Sequence, residues 1–199
     1  MTRRIASLVS NIFSPFLSGL IIILLVSLEA NTDPFETVKW VSLLVGLSLL
    51  PVLIYIIYLL RRKRLDGFSS SSRQQRAGIY VLMLILGSVS CLTLFWLKAP
   101  LMLVALAVAG LSGAIIFGLF NLWCKISLHT AFVAALVAVF FLSYGLEAAA
   151  SLLLIPLVAW SRIVLEQHSV MQTIAGALMG AMVLLLTFLL LLKVLPNAG

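Results

Sequence analysis

Charge is what this chain has least of. Asp, Glu, Lys and Arg make up 10% of its 199 residues, against about a quarter in a soluble domain, which excludes an ordinary water-exposed fold. Acidic residues number six and histidines two, so any chemistry that depends on them rests on very few positions. The two cysteines, Cys91 and Cys124, lie within or at the edge of apolar segments and lack metal-ligand spacing. That placement supports neither a disulfide framework nor a zinc site, and both cysteines read as packing residues. Long polar stretches are also missing, so there is almost no room for a separate soluble domain.

What is present is apolar. Hydrophobic residues make up 63% of the chain, and a membrane-spanning helix needs about 20 of them in a row. The length therefore holds six or seven spans. Apolar runs and their polar interruptions predict helices near 12–29, 37–60, 79–97, 100–121, 127–145, 147–163 and 169–194. The expected fold is all-α: one integral membrane domain over 1–199, built as a polytopic transmembrane bundle. Residues 1–11 precede an uncleaved first helix. Pro51 and Pro156 fall inside apolar runs, where kinks are expected rather than breaks. Gly176 and Gly180 form a small-xxx-small pair that suits close helix packing. Net charge is +7, but six of the thirteen basic residues lie in the 61–78 loop, so lipid headgroups or a phosphate suit them better than nucleic acid, for which there is no module.

Three polar clusters interrupt the apolar runs. The loop RRKRLDGFSSSSRQQRAG carries a topology anchor in Arg61-Arg62-Lys63-Arg64, then Arg73 and Arg76, whose three-residue spacing puts two guanidiniums on one helix face. Seven spans would bring the loops after the second, fourth and sixth helices to one side, which the positive-inside rule makes cytoplasmic. The second cluster is Lys125 to Thr130. There Ser127 caps a helix whose first-turn N–H groups favour an anion, with His129 and Lys125 beside it. In the third, Arg162 closes one helix, and His168 and Gln172 stack four apart at the start of the next. Gln172 can then hold one imidazole nitrogen and leave the other to act as a nucleophile. A phosphoryl group calls for such a set: cationic donors, an in-line nucleophile and an acid opposite.

These clusters resemble the superfamily of type 2 phosphatidic acid phosphatases and vanadium haloperoxidases, whose pattern is Lys-x6-Arg-Pro, Pro-Ser-Gly-His and Ser-Arg-x5-His-x3-Asp. Ser161-Arg162, five residues, His168 and three residues match the last, with Gln172 in place of aspartate. Ser127 and His129 match the second, with Ile126 and Leu128 in place of proline and glycine. Arg73 or Arg76 stands for the first arginine, followed after Arg76 by Ala77, with Ser69 or Asp66 where lysine is expected.

The resemblance covers 66–180, leaving extra N-terminal helices over 12–60. It implies a phosphatase of lipid phosphates in a bacterial or archaeal cell membrane, acting on phosphatidic acid, phosphatidylglycerol phosphate or a polyprenyl diphosphate, with no cofactor or metal. His168 is the implied nucleophile and His129 the general acid. Arg162, Ser127 and a loop arginine are the implied phosphate binders, Lys125 being added by position. Gln172 orients His168, with Glu166 as an alternative. In the serine-protease triad a carboxylate-to-amide change costs about 10⁴ in rate, so weakened activity is expected. The rival reading is a non-catalytic relative that binds headgroups or acts as a scaffold. A metal-dependent lipid phosphotransferase needs several spaced aspartates, and only Asp66 lies near the site face.

Overall fold

The computed structural model describes residues 1–31, 33–62 and 73–194, the side chains of 73–75, 192 and 194 excepted. Lys63, Arg64, Asp66 and Ser69 therefore lie outside the described residues, as does the side chain of Arg73. Among the described residues every regular element is helical. The α-helices are α1 (Thr2–Ile12), α2 (Pro15–Ala30), α3 (Pro34–Leu44), α4 (Leu50–Arg61), α5 (Arg73–Trp96), α6 (Leu101–Phe120), α7 (Leu128–Tyr144), α8 (Leu154–Val164) and α9 (Val170–Val194). A π-helical turn, Val45–Leu49, joins α3 to α4, and a 3₁₀ segment, Gly145–Leu153, joins α7 to α8.

The first expected helix, 12–29, is corrected at its start. Residues 2–12 form a helix of their own, with Ile5, Leu8 and Ile12 exposed on one side and Ala6 and Ser10 buried on the other. Its apolar residues form a stripe rather than a continuous run. The chain leaves α1 at Phe13 (φ −98°, ψ 39°), and Pro15 opens α2, where its missing N–H costs nothing.

Both internal prolines are absorbed without a break. The π turn ends just before Pro51, widening the helix where the proline ring would crowd a carbonyl one turn back. Pro156 falls in the first turn of α8, after the tighter 3₁₀ segment.

Six helical stretches are long and apolar enough to cross a membrane, and one of them, Leu128–Val164, runs for 37 residues. A straight helix of that length would be about 55 Å long at ~1.5 Å per residue, nearly twice the ~30 Å hydrocarbon core. The chain instead turns back at Gly145 (φ 58°, ψ −136°), and α8 packs against α7. Residues 128–164 thus form two stretches packed side by side, α7 and then the 3₁₀ segment with α8.

The chain forms two compact units. One comprises 1–25 and 125–186, the other 26–124 and 187–199. In the first, α8 packs against both α1 and α7. The helices α7 and α9 run parallel in near backbone contact: a Cβ added at Gly176 would lie 2.5 Å from the Ser127 carbonyl oxygen, and one at Gly180 2.7 Å from the Ala131 Cα. Only glycine permits that approach, which in lipid takes the place of a hydrophobic drive between helices.

In the second unit α5 packs along α6, with Gly87 facing Leu111. The Ser48 and Ser90 hydroxyls lie 3.0 Å apart between the π turn and α5. Lys98 takes a left-handed conformation (φ 51°) and ends α5 with bonds from Lys98 N to Phe95 O (3.1 Å) and Ala99 N to Leu94 O (2.9 Å) before Pro100. Cys91 is half-buried, whereas Cys124 is exposed rather than packed, because it falls in the turn after α6.

Candidate active site

The first unit gathers six of the eight residues singled out by sequence: Lys125, Ser127, His129, Arg162, His168 and Gln172. Their meeting follows from the helix path. The run α7 leaves one end, the 3₁₀ segment and α8 return to it, and α9 leaves again, so two helix N-termini and one C-terminus share a place. The Ser127 amide donates to the Gln172 carbonyl at 3.3 Å, tying the two N-termini directly.

At the start of α7, Ser127 is fully buried and in an extended conformation (φ −81°, ψ 105°), as an N-cap should be. Its Oγ faces the Thr130 amide at 3.4 Å, and the Thr130 hydroxyl donates back to the Ser127 carbonyl at 3.0 Å. The N–H groups of Leu128 and His129 have no acceptor within the helix, and with the helix dipole they make this end favourable to an anion. His129 is half-buried in that first turn and within electrostatic reach of both Arg162 and His168. Lys125 is half-buried two residues before the cap.

At the start of α9 the local sequence is Ser169-Val170-Met171-Gln172, a capping box. The Gln172 amide donates to Ser169 Oγ at 3.3 Å, and Gln172 Oε1 accepts from the Ser169 amide at 3.2 Å. The same oxygen lies 3.2 Å from His168 Nδ1. An amide oxygen accepts only, so His168 Nδ1 carries a proton. His168 is buried. The box is visible in the sequence as Ser-x-x-Gln.

Arg162 lies in the last turn of α8 and is 3% exposed. Its Nη1 donates to Ser10 Oγ on α1 at 2.5 Å and its Nη2 donates to Gln167 Oε1. Its Nε is buried and has no hydrogen-bond partner. Among the described residues no carboxylate pairs with this guanidinium. Taking a charge out of water costs several kcal/mol unless an opposite charge compensates it. Ser10 and Gln167 were both missed by sequence reasoning. The signal for Ser10 was the helical stripe of residues 2–12, and Gln167 sits in a turn that had no pattern to reveal it.

Glu166 does not face His168. It follows α8 in a left-handed conformation (φ 56°), with Glu166 N bonded to Ile163 O (2.9 Å) and Gln167 N to Arg162 O (3.0 Å), and its carboxylate pairs with Arg3. That turn aims the side chain outward, where both partners are exposed. Arg73 and Arg76 belong to the second unit. Arg76 Nε donates to Asn121 Oδ1 at 2.6 Å, and Asn121 is buried.

The family model described as the PAP2 superfamily matches residues 23–195. The chain belongs to the PAP2 superfamily. This is the type 2 phosphatidic acid phosphatase family that the three sequence motifs resemble, and membership supports a phosphatase-type function in an integral membrane protein. No curated protein and no solved structure matches the chain. The PAP2 match begins within α2, so α1 and its Ser10 precede the matched residues.

Proposed function

We propose that this PAP2 protein is a phosphatase of lipid phosphates, with His168 as nucleophile, His129 as general acid and base, and Arg162, Ser127 and Lys125 as the phosphate binders. The observation that supports the reading best is Arg162, a buried cation whose partners are neutral oxygens and whose Nε–H has none. In the proposed reaction His168 Nε2 attacks phosphorus and the bond to the leaving oxygen breaks as His129 protonates that oxygen. Water then attacks phosphorus, giving a proton to His129 as the phosphorus–nitrogen bond breaks, and inorganic phosphate leaves with His168 restored. Gln172 keeps the Nδ1–H tautomer through both steps. Arg162 and the first-turn amides of α7 stabilise charge on the phosphoryl oxygens. Arg73 or Arg76 joins this set on the resemblance alone.

A second reading, a PAP2 relative that binds headgroups without turnover, is favoured by Gln172. A neutral oxygen shared between His168 and the Ser169 amide stabilises an imidazolium less than a carboxylate does. Phosphate release from vesicles containing phosphatidic acid, phosphatidylglycerol phosphate or a polyprenyl diphosphate separates the two. Release that falls roughly 10³-fold or more in His168→Ala supports the phosphatase. Headgroup binding without release supports the second reading, and undiminished release in His168→Ala removes the mechanism.

A further inference from the structure

We propose that Ser10, on the N-terminal helix α1, is a positioning residue that fixes the Arg162 guanidinium in the site. The inference rests on the reading of Arg162 as a phosphate binder and adds a residue from outside the family match, which begins at residue 23. Two nitrogens of the Arg162 guanidinium are held by side-chain oxygens, and Nε has no partner. Gln167 holds Nη2 from the turn that follows α8, five residues along the same stretch of chain. Ser10 holds Nη1 from a helix more than 150 residues away in sequence, at 2.5 Å, and both side chains are buried. With two donors so tethered, the plane of the guanidinium is set, and the Nε–H direction with it. An arginine grips phosphate through a rigid planar fork, so setting that plane before substrate arrives removes an ordering cost from binding.

The helix α1 is itself held for this task. It packs against α8, with Ala6 and Ser10 on the buried side one turn apart. Arg3 pairs with Glu166 at the far side of the same turn that carries Gln167. That pair is exposed and is a weak fastener by itself. Its value lies in placement, because it clips α1 to the turn beside Arg162.

The test uses the full chain in phosphatidylcholine vesicles, comparing wild type with Ser10→Ala, Ser10→Cys and Ser10→Thr. The first readout needs no turnover: the rate at which phenylglyoxal modifies Arg162, followed by mass spectrometry. Ser10→Ala and Ser10→Cys are expected to speed that modification about tenfold, as loss of a bond to a charged group should. Ser10→Thr, which restores a hydroxyl, is expected to reverse most of the change. Should Ser10→Ala fail to fold, Ser10→Cys, of nearly the same size, carries the same comparison.

The second readout is phosphate release, where KM is expected to rise about tenfold in Ser10→Ala with kcat changed less. Equal phenylglyoxal rates in wild type and the serine variants overturn the role of Ser10 whether or not the protein turns over lipid. Failure of wild type to release phosphate bears on the proposed function and leaves the first comparison readable.

Discussion

At the scale of single residues, the Gln172 side-chain oxygen carries two duties. It closes the capping box of α9 and holds the proton on His168 Nδ1. A glutamate of the same length can perform both and adds a negative charge beside the imidazole. Hydrogen bonds to a charged group are worth roughly 1 kcal/mol more than neutral ones, so Gln172→Glu is expected to raise kcat about fivefold to tenfold in the phosphate-release assay. A fall in kcat would show that the neutral amide is needed. The His168–Gln172 pairing was legible from a four-residue spacing, because two side chains that far apart share a helix face. The fate of Glu166 was not, since its direction depends on a left-handed turn that a glycine would have announced and a glutamate conceals.

At the scale of elements, the joint between α7 and α9 decides where both histidines stand. Gly180→Ala puts a Cβ 2.7 Å from the Ala131 Cα, which the pair can accommodate only by moving apart. A loss of about 1–3 kcal/mol is expected in unfolding from detergent, together with reduced phosphate release. Gly110→Ala, in α6, meets nothing within 4 Å and serves as a control with little change. The small-xxx-small spacing was visible in the sequence, and its partner was not, because spacing names the face and not what covers it. The helix α1 stayed hidden for the opposite reason. Its apolar residues Ile5, Leu8 and Ile12 form a stripe suited to the membrane interface, too sparse to read as a span.

For the whole molecule, the reversal at Gly145 bears on the number of passes. Cysteine labelling from each side of a vesicle checks it: Leu146→Cys, at an 86% exposed position, is expected to react from one side and Glu166→Cys from the other. Reaction of both from one side would mean that the polypeptide does not cross between them. Hydropathy alone leaves this open, since the helical stretch Leu128–Val164 reads as one 37-residue candidate span. The seven-pass reading came from polar punctuation at Ser143-Tyr144-Gly145, and the positive φ of Gly145 gives that punctuation its physical basis. Most of the bundle was legible because lipid leaves the backbone no alternative to helix. The partners of Arg162 were not, because they depend on which helices become neighbours.

The seating of Gly176 on Ser127 and of Gly180 on Ala131 works as a ruler cut in the main chain. Two rods notched together this way cannot creep past each other by a fraction of a residue. The backbone spacing between the starts of the two rods, beside which His129 and His168 stand, is thereby gauged by peptide geometry.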